Sequence, residues 1–180
     1  DVKMKKLALL VIDVQNILVH SKPFAIDEII ENIKNLIEVS RKNNIEVIYI
    51  QHNGKVGSEI EPNSDGWQIY EKIKPNPNEK IFFKNYNSAF KETHLHEHLK
   101  SRDINDLIIA GMQTDYCIDT TVKIAFEYGF KLIIPEKTNT TFDNGNILAK
   151  DLYNHYNFNI FNNRFGAVTS IENTIKKIKE

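Results

Sequence analysis

The chain has 180 residues, 41% of them hydrophobic, and its 23 basic and 24 acidic side chains leave a formal net charge of −1. This is enough apolar material for one domain with a sizeable core, and the near-even balance carries no signal for a polyanion such as nucleic acid. The longest apolar run, Leu7 to Ile12, is far too short to cross a bilayer, no signal-peptide pattern precedes it, and one cysteine cannot form an internal disulfide. The expectation is a single soluble, cytoplasmic domain over residues 1–180, with no membrane or nucleic-acid partner.

Short β-rich apolar runs alternate with helical patterns along the chain. The first predicted strand is Leu7–Asp13. A helix follows, with Ile29, Ile33, Leu36 and Ile37 at the three-to-four spacing of a buried face and Asp27 as its expected N-cap. Val47–Gln51 is the second strand. A long irregular stretch, Asn53 to Asp65, contains two glycines and a proline, and long loops in compact domains are enriched in lids and binding segments. Lys80–Lys84 forms the third strand, and Leu95–Leu99 lies in the next helix.

Leu107–Ala110 is the fourth strand, and the turn Gly111-Met-Gln-Thr114 leads into a helix with Ile118, Val122, Ala125 and Phe126 at helical spacing. Gly129 stands where a left-handed C-terminal cap is needed. Leu132–Pro135 and Asn159–Phe161 are read as strands five and six, separated by a helix around Leu148–Tyr156. A last helix begins near Ser170, with Ile171, Ile175 and Ile178 on one face and the lysines near its end in solvent. Continuously apolar strands separated by helices imply right-handed βαβ units. The fold class is therefore α/β: a three-layer α/β/α domain on a doubly wound, six-stranded parallel sheet.

In such sheets ligands bind at the carboxyl ends of the strands, and that rule selects among the polar residues. Asp13 ends the first strand, His52 follows the second, Lys84 ends the third, and Cys117 comes just after the fourth. A thiol needs a base to become nucleophilic and a cation or helix N-terminus to favour its thiolate. Asp13 and Lys84 answer to the first two of these requirements, and the predicted first turn of a helix to the third. The competing pattern, His94-Leu-His96-Glu-His98, places His96 on a different helix face from the other two, so no metal site is expected there. Gly54-Lys-Val-Gly57 lacks the spacing of a nucleotide-binding loop. Trp67, at the end of the irregular stretch, is open to two readings: a wall for a small planar or apolar ligand, or simple packing.

The segments Leu9-Leu-Val-Ile-Asp13-Val-Gln15-Asn16, Lys84-Asn-Tyr-Asn-Ser88-Ala-Phe90, Gly111-Met-Gln-Thr114-Asp-Tyr-Cys117, Thr120-Thr121-Val122 with Ala125, and Thr140-Thr141-Phe142-Asp143 together resemble the isochorismatase-like cysteine hydrolases. That group includes nicotinamidases and carbamoylsarcosine amidohydrolases, and the resemblance spans nearly the whole chain. It implies a catalytic triad of Asp13, Lys84 and Cys117. It also implies a non-proline cis peptide at Met112–Gln113 that turns the Gln113 N–H toward the pocket, where it joins the Cys117 N–H as an oxyanion hole.

Family members are commonly dimers or tetramers, so a homodimer or homotetramer is implied. The cysteine places the chain with amide hydrolases rather than isochorismatases proper. The sequence Gln51-His52-Asn53 departs from the Asp-x-His metal set typical of nicotinamidases, and the arrangement of His52 and Trp67 looks more like the branch containing streptothricin hydrolase. The implied activity is cleavage of a small amide or lactam C–N bond through a Cys117 thioester, without cofactor or metal, with Gln15, His52 and Trp67 shaping the substrate pocket. Alternatives are nicotinamide deamidation, one-cysteine peroxide chemistry, and a small-molecule or partner-binding module without turnover.

Overall fold

The computed structural model describes residues 5–180. The elements, in chain order, are strand β1 (Leu7–Ile12), helices α1 (Asn16–His20) and α2 (Ile26–Lys42), β2 (Glu46–His52), β3 (Ile81–Lys84), α3 (Leu95–Ser101) and β4 (Asp106–Met112). A π-helical turn, Thr114–Ile118, then runs directly into α4 (Asp119–Glu127), followed by β5 (Lys131–Pro135), β6 (Asn139–Thr140), α5 (Ala149–Asn154), β7 (Ala167–Thr169) and α6 (Ile171–Lys179). All pairings between strands are parallel, in the order β3-β2-β1-β4-β5-β7, with β6 paired to the end of β4. The chain winds outward from β1 through β2 to β3, then returns to the other side of β1 with β4. The switch point lies between β1 and β4, where a doubly wound sheet opens a crevice.

Side chains alternate across β1. Ala8, Leu10 and Ile12 join a core that includes Leu95 and Leu99 of α3, Val122 and Ala125 of α4, and Phe161. Leu7, Leu9 and Val11 face the other core, with Ile29, Ile33 and Leu36 of α2 and Ile178 of α6. This is the expected three-layer arrangement, with both sheet faces covered. Among the described residues, no helix is long and apolar enough to cross a membrane.

The sheet has seven strands rather than the expected six, with β6 and β7 only two and three residues long, and two elements differ from their sequence-based expectation. Asn159–Phe161 is not a strand: α5 continues as a π-helix over His155–Phe161. Tyr153, Asn157 and Phe161 are all buried at four-residue spacing. Asn157 is polar and exchanges hydrogen bonds with Asn139, so the helical period is invisible in the hydrophobic pattern, which reads there as polar–apolar alternation. The sheet edge is instead β7, only three residues long. Helix α2 starts at Ile26 after Ala25, whose φ is 51°, and Asp27 lies in the first turn rather than at the cap. Gly129 adopts the left-handed conformation, with φ of 95°.

Gly111 brings the backbone of β4 hard against that of β1. It lies opposite Ile12 in the register, has φ of 129°, and a Cβ there would stand 2.0 Å from the Ile12 carbonyl oxygen. Gly111→Ala is therefore expected to lower unfolding free energy by about 2–4 kcal/mol, from a backbone clash that no rotamer relieves plus an unfavourable φ. Urea titration checks this, and an unchanged midpoint would contradict the close approach.

Candidate active site

Each of the side chains that meet at the switch point is delivered by a strand end. Asp13 follows β1 in a left-handed conformation, with φ of 53°, which aspartate tolerates better than most residues. Its backbone N–H donates to the Ile50 carbonyl. Lys84 ends β3 opposite His52 at the end of β2. Cys117 sits in the π-helical turn after β4.

The side chains of Lys84 and Asp13 are 0% and 3% exposed and form an ion pair, Nζ to Oδ2, of 2.9 Å. The ammonium lies 2.9 Å from His52 Nδ1, 2.9 Å from the Tyr86 carbonyl oxygen and 3.2 Å from Cys117 Sγ. Asp13 Oδ1, by contrast, is buried and has no hydrogen-bond partner. An ionised oxygen with no donor, held beside a thiol, is a free proton acceptor. The Met112–Gln113 peptide bond is cis.

Ligand-capable atoms of Asp13, His52 and Cys117 lie within 4.8 Å of one another, close enough to share a metal ion. The Lys84 ammonium contacts all three residues, so a cation already lies among them, and a divalent ion would have to displace it. The histidines of the 94–98 segment disperse: His94 pairs with Glu97, His96 stacks on Tyr128 with centroids 4.0 Å apart, and His98 pairs with Glu46.

Burial, reinforced by the Asp13 carboxylate and only partly offset by Lys84, pushes the Cys117 thiol up to about 12. At rest the sulfur is thus a thiol. Lys84 only partly offsets desolvation, which works against the thiolate that the sequence pattern favours. Burial, and then the adjacent ammonium, lowers the pKa of His52. Because thiolate is the species that alkylates, iodoacetamide should modify Cys117 about a thousandfold more slowly at pH 7 than an ordinary exposed cysteine. The rate should climb about tenfold per pH unit, without a plateau below pH 10. A plateau near neutrality would show a preformed thiolate instead.

These residues open onto a cleft of about 250 Å³ lined by Asp13, Leu18, His52, Ile60, Asn87, Gln113, Tyr116 and Cys117. Larger depressions, of about 510 and 430 Å³, lie at the amino ends of the strands, away from these groups. Leu18, Ile60, Asn87 and Tyr116 were not singled out by sequence reasoning. Asn87 and Tyr116 stand inside two of the matching segments, Lys84–Phe90 and Gly111–Cys117, whereas Leu18 and Ile60 look like ordinary apolar residues of a short helix and a loop.

Gln15 and Trp67 do not line the cleft. Gln15 is fully buried; its amide accepts from the His52 N–H and donates to the carbonyls of His52 and Trp67, at 2.9–3.0 Å. Trp67 stacks on Phe83 with an interplanar angle of 11°, and its indole N–H donates to Asn53 Oδ1. Both brace the loop that carries Ile60, and that loop closes on itself through the Gly54 N–H to Ile60 carbonyl bond. Across the cleft, Thr141 donates to Asp115, and Asn144 donates to the Tyr116 hydroxyl at 2.9 Å, so the Thr140–Asp143 motif steadies the cysteine turn.

A model of the isochorismatase domain matches residues 7–173. The chain belongs to the isochorismatase family. An uncharacterized isochorismatase family protein of Bacillus subtilis, YrdC, is 39% identical over 101 residues, covering 56% of this chain and 54% of that protein. Streptothricin hydrolase of Streptomyces noursei is 27% identical over 139 residues, 76% of this chain and 50% of that enzyme. This chain therefore spans about half the length of these two relatives. Nicotinamidase 3 of Arabidopsis thaliana is 30% identical over 158 residues, 79% of this chain and 77% of that protein. A crystal structure of an isochorismatase family protein is similar with a TM-score of 0.86 and 31% identity, over 93% of this chain and 99% of that one.

Proposed function

We propose that this isochorismatase-family protein is a cysteine hydrolase that cleaves a small, non-peptide amide or lactam C–N bond. The observation that carries the reading is the buried contact set of Asp13, Lys84 and Cys117 on one small cleft. As Sγ of Cys117 attacks the carbonyl carbon, its proton passes to Oδ1 of Asp13. The N–H groups of Gln113 and Cys117 receive the developing oxyanion; in comparable sites one such donor is worth about 3–4 kcal/mol. Collapse breaks the C–N bond, Asp13 returns the proton to the departing nitrogen, and a thioester remains. Water, deprotonated by Asp13, then releases the acid, and Cys117 is reprotonated.

Lys84 is ion-paired with Asp13 in a buried site, and it stabilises the sulfur while negative charge develops there. A thiol that ionises in step with attack fits a resting group titrating near 12 better than a preformed thiolate does. The likeness to streptothricin hydrolase supports a hydrolytic reaction. Nicotinamide is the second reading, favoured by the likeness to nicotinamidase 3 over most of both chains. A panel of small amides, lactams and ureas that includes nicotinamide, assayed for ring opening or ammonia release with Cys117→Ala as the blank, tests both. Turnover equal in the variant would overturn the thioester route.

A further inference from the structure

The Lys84 ammonium has three protons and four acceptor atoms around it: Asp13 Oδ2, the Tyr86 carbonyl oxygen, His52 Nδ1 and Cys117 Sγ. An ammonium has no lone pair, so a ring nitrogen 2.9 Å away must present its own. The imidazole proton is then on Nε2. The ring is held from two sides. Its backbone N–H and carbonyl are clamped by the Gln15 amide, and Nδ1 is tied to the residue opposite it on β3. No protein acceptor takes the Nε2 proton among the described residues; Nε2 is not a buried orphan either, and the ring lines the cleft.

The direction in which this N–H faces follows from the rest of the lining. Asp13 must meet the leaving nitrogen, and Gln113 and Cys117 the carbonyl oxygen. That leaves His52, Asn87, Leu18, Ile60 and Tyr116 for the substituents, and of the polar groups among them His52 is the one whose N–H is oriented by Lys84. The ring is neutral and the neighbouring ammonium is already balanced by Asp13, so no free cation is available for an anionic substituent, and desolvating one would be costly. We propose that His52 is a specificity-determining residue whose Nε2–H, oriented by Lys84, binds an uncharged hydrogen-bond acceptor (an ether or carbonyl oxygen, or a ring nitrogen) on the acyl part of the substrate, beside an apolar wall. This rests on the acyl-transfer reading above and names the class of acyl group it takes.

Two measurements test it. In protein labelled with ¹⁵N-histidine at pH 7, long-range proton–nitrogen correlation spectra, with His52 assigned by its loss in His52→Leu, should show a neutral ring carrying its proton on Nε2. An Nδ1–H tautomer or an imidazolium would overturn the proposal without reference to activity. The second measurement uses p-nitrophenyl methoxyacetate and p-nitrophenyl butyrate, acyl groups of like shape that differ by an ether oxygen in place of a methylene.

For each protein the ratio of the two acylation bursts is read, so the intrinsic reactivity of the esters cancels between proteins. His52→Leu should lower the methoxyacetate-to-butyrate ratio about fivefold to tenfold, the worth of one neutral hydrogen bond. The variant leaves Lys84 with three acceptors for three protons. A Cys117-dependent burst with an unchanged ratio would sink this proposal alone; no such burst from either ester in the native protein would sink the acyl-transfer reading and this inference with it.

Discussion

Lys84→Met should destabilise the protein by about 3–5 kcal/mol and bring hydrolysis down to the Cys117→Ala background. The ion pair it removes is nearly solvent-free, with side-chain exposures of 0% and 3%, and Asp13 has no compensating donor, because Oδ1 is already unpartnered. Removing one member of a buried pair leaves a desolvated charge, which is far worse than removing both. The double variant Asp13→Asn/Lys84→Met should therefore recover a large part of the lost stability while staying inactive, and asparagine tolerates the left-handed backbone at position 13. Urea unfolding of the single and double variants reads the coupling directly. If Lys84→Met unfolds at the native midpoint, the ammonium is not what holds the buried carboxylate.

Cys117→Ala should reduce turnover by about 10⁴-fold or more, comparable with the loss of a nucleophile in other acyl-transfer sites, yet leave stability within about 1 kcal/mol of the native value. The thiol side chain is one heavy atom larger than a methyl group and already borders the cleft, so little new cavity forms. Lys84 loses one acceptor but keeps Asp13, Tyr86 and His52 for its three protons. Cys117→Ser keeps a hydrogen-bonding group but a far weaker nucleophile, and should retain a trace. Rates on any substrate from the amide panel, set beside thermal melts of both variants, separate a chemical loss from a structural one. A marked drop in melting temperature for Cys117→Ala would show that the sulfur holds the site together rather than acting in it.

Much of the architecture was legible in the chain because it rests on local patterns. Leu7–Ile12, Val47–Ile50 and Leu107–Ala110 are continuously apolar and became central strands buried on both faces. Glycine at 129 and apolar spacing in the 29–37 and 171–178 segments marked helix ends and faces correctly. The failures came where a pattern depended on distant partners. Asn157 is buried against Asn139, so a polar residue occupies a core position and breaks the helical reading of the Tyr156–Phe161 stretch. Strand β7 is too short to show periodicity, and only β5 beside it makes it a strand. Gln15 and Trp67 carry groups suited to ligand binding, but Gln15 is buried against the His52 backbone and Trp67 stacks on Phe83, so both hold the loop.

The sequence by itself determined the order of the first five strands and the delivery of Asp13, His52, Lys84 and Cys117 to one edge of the sheet, because strand ends follow from local hydrophobic runs. Only the tertiary structure decided what those groups are chemically. Closure around the switch point buries the Cys117 thiol and raises its pKa. It also surrounds one ammonium with four acceptors and leaves one carboxylate oxygen unpaired. Solvent exclusion and the angles among side chains on different strands depend on packing across the whole domain, and no local run of residues encodes them.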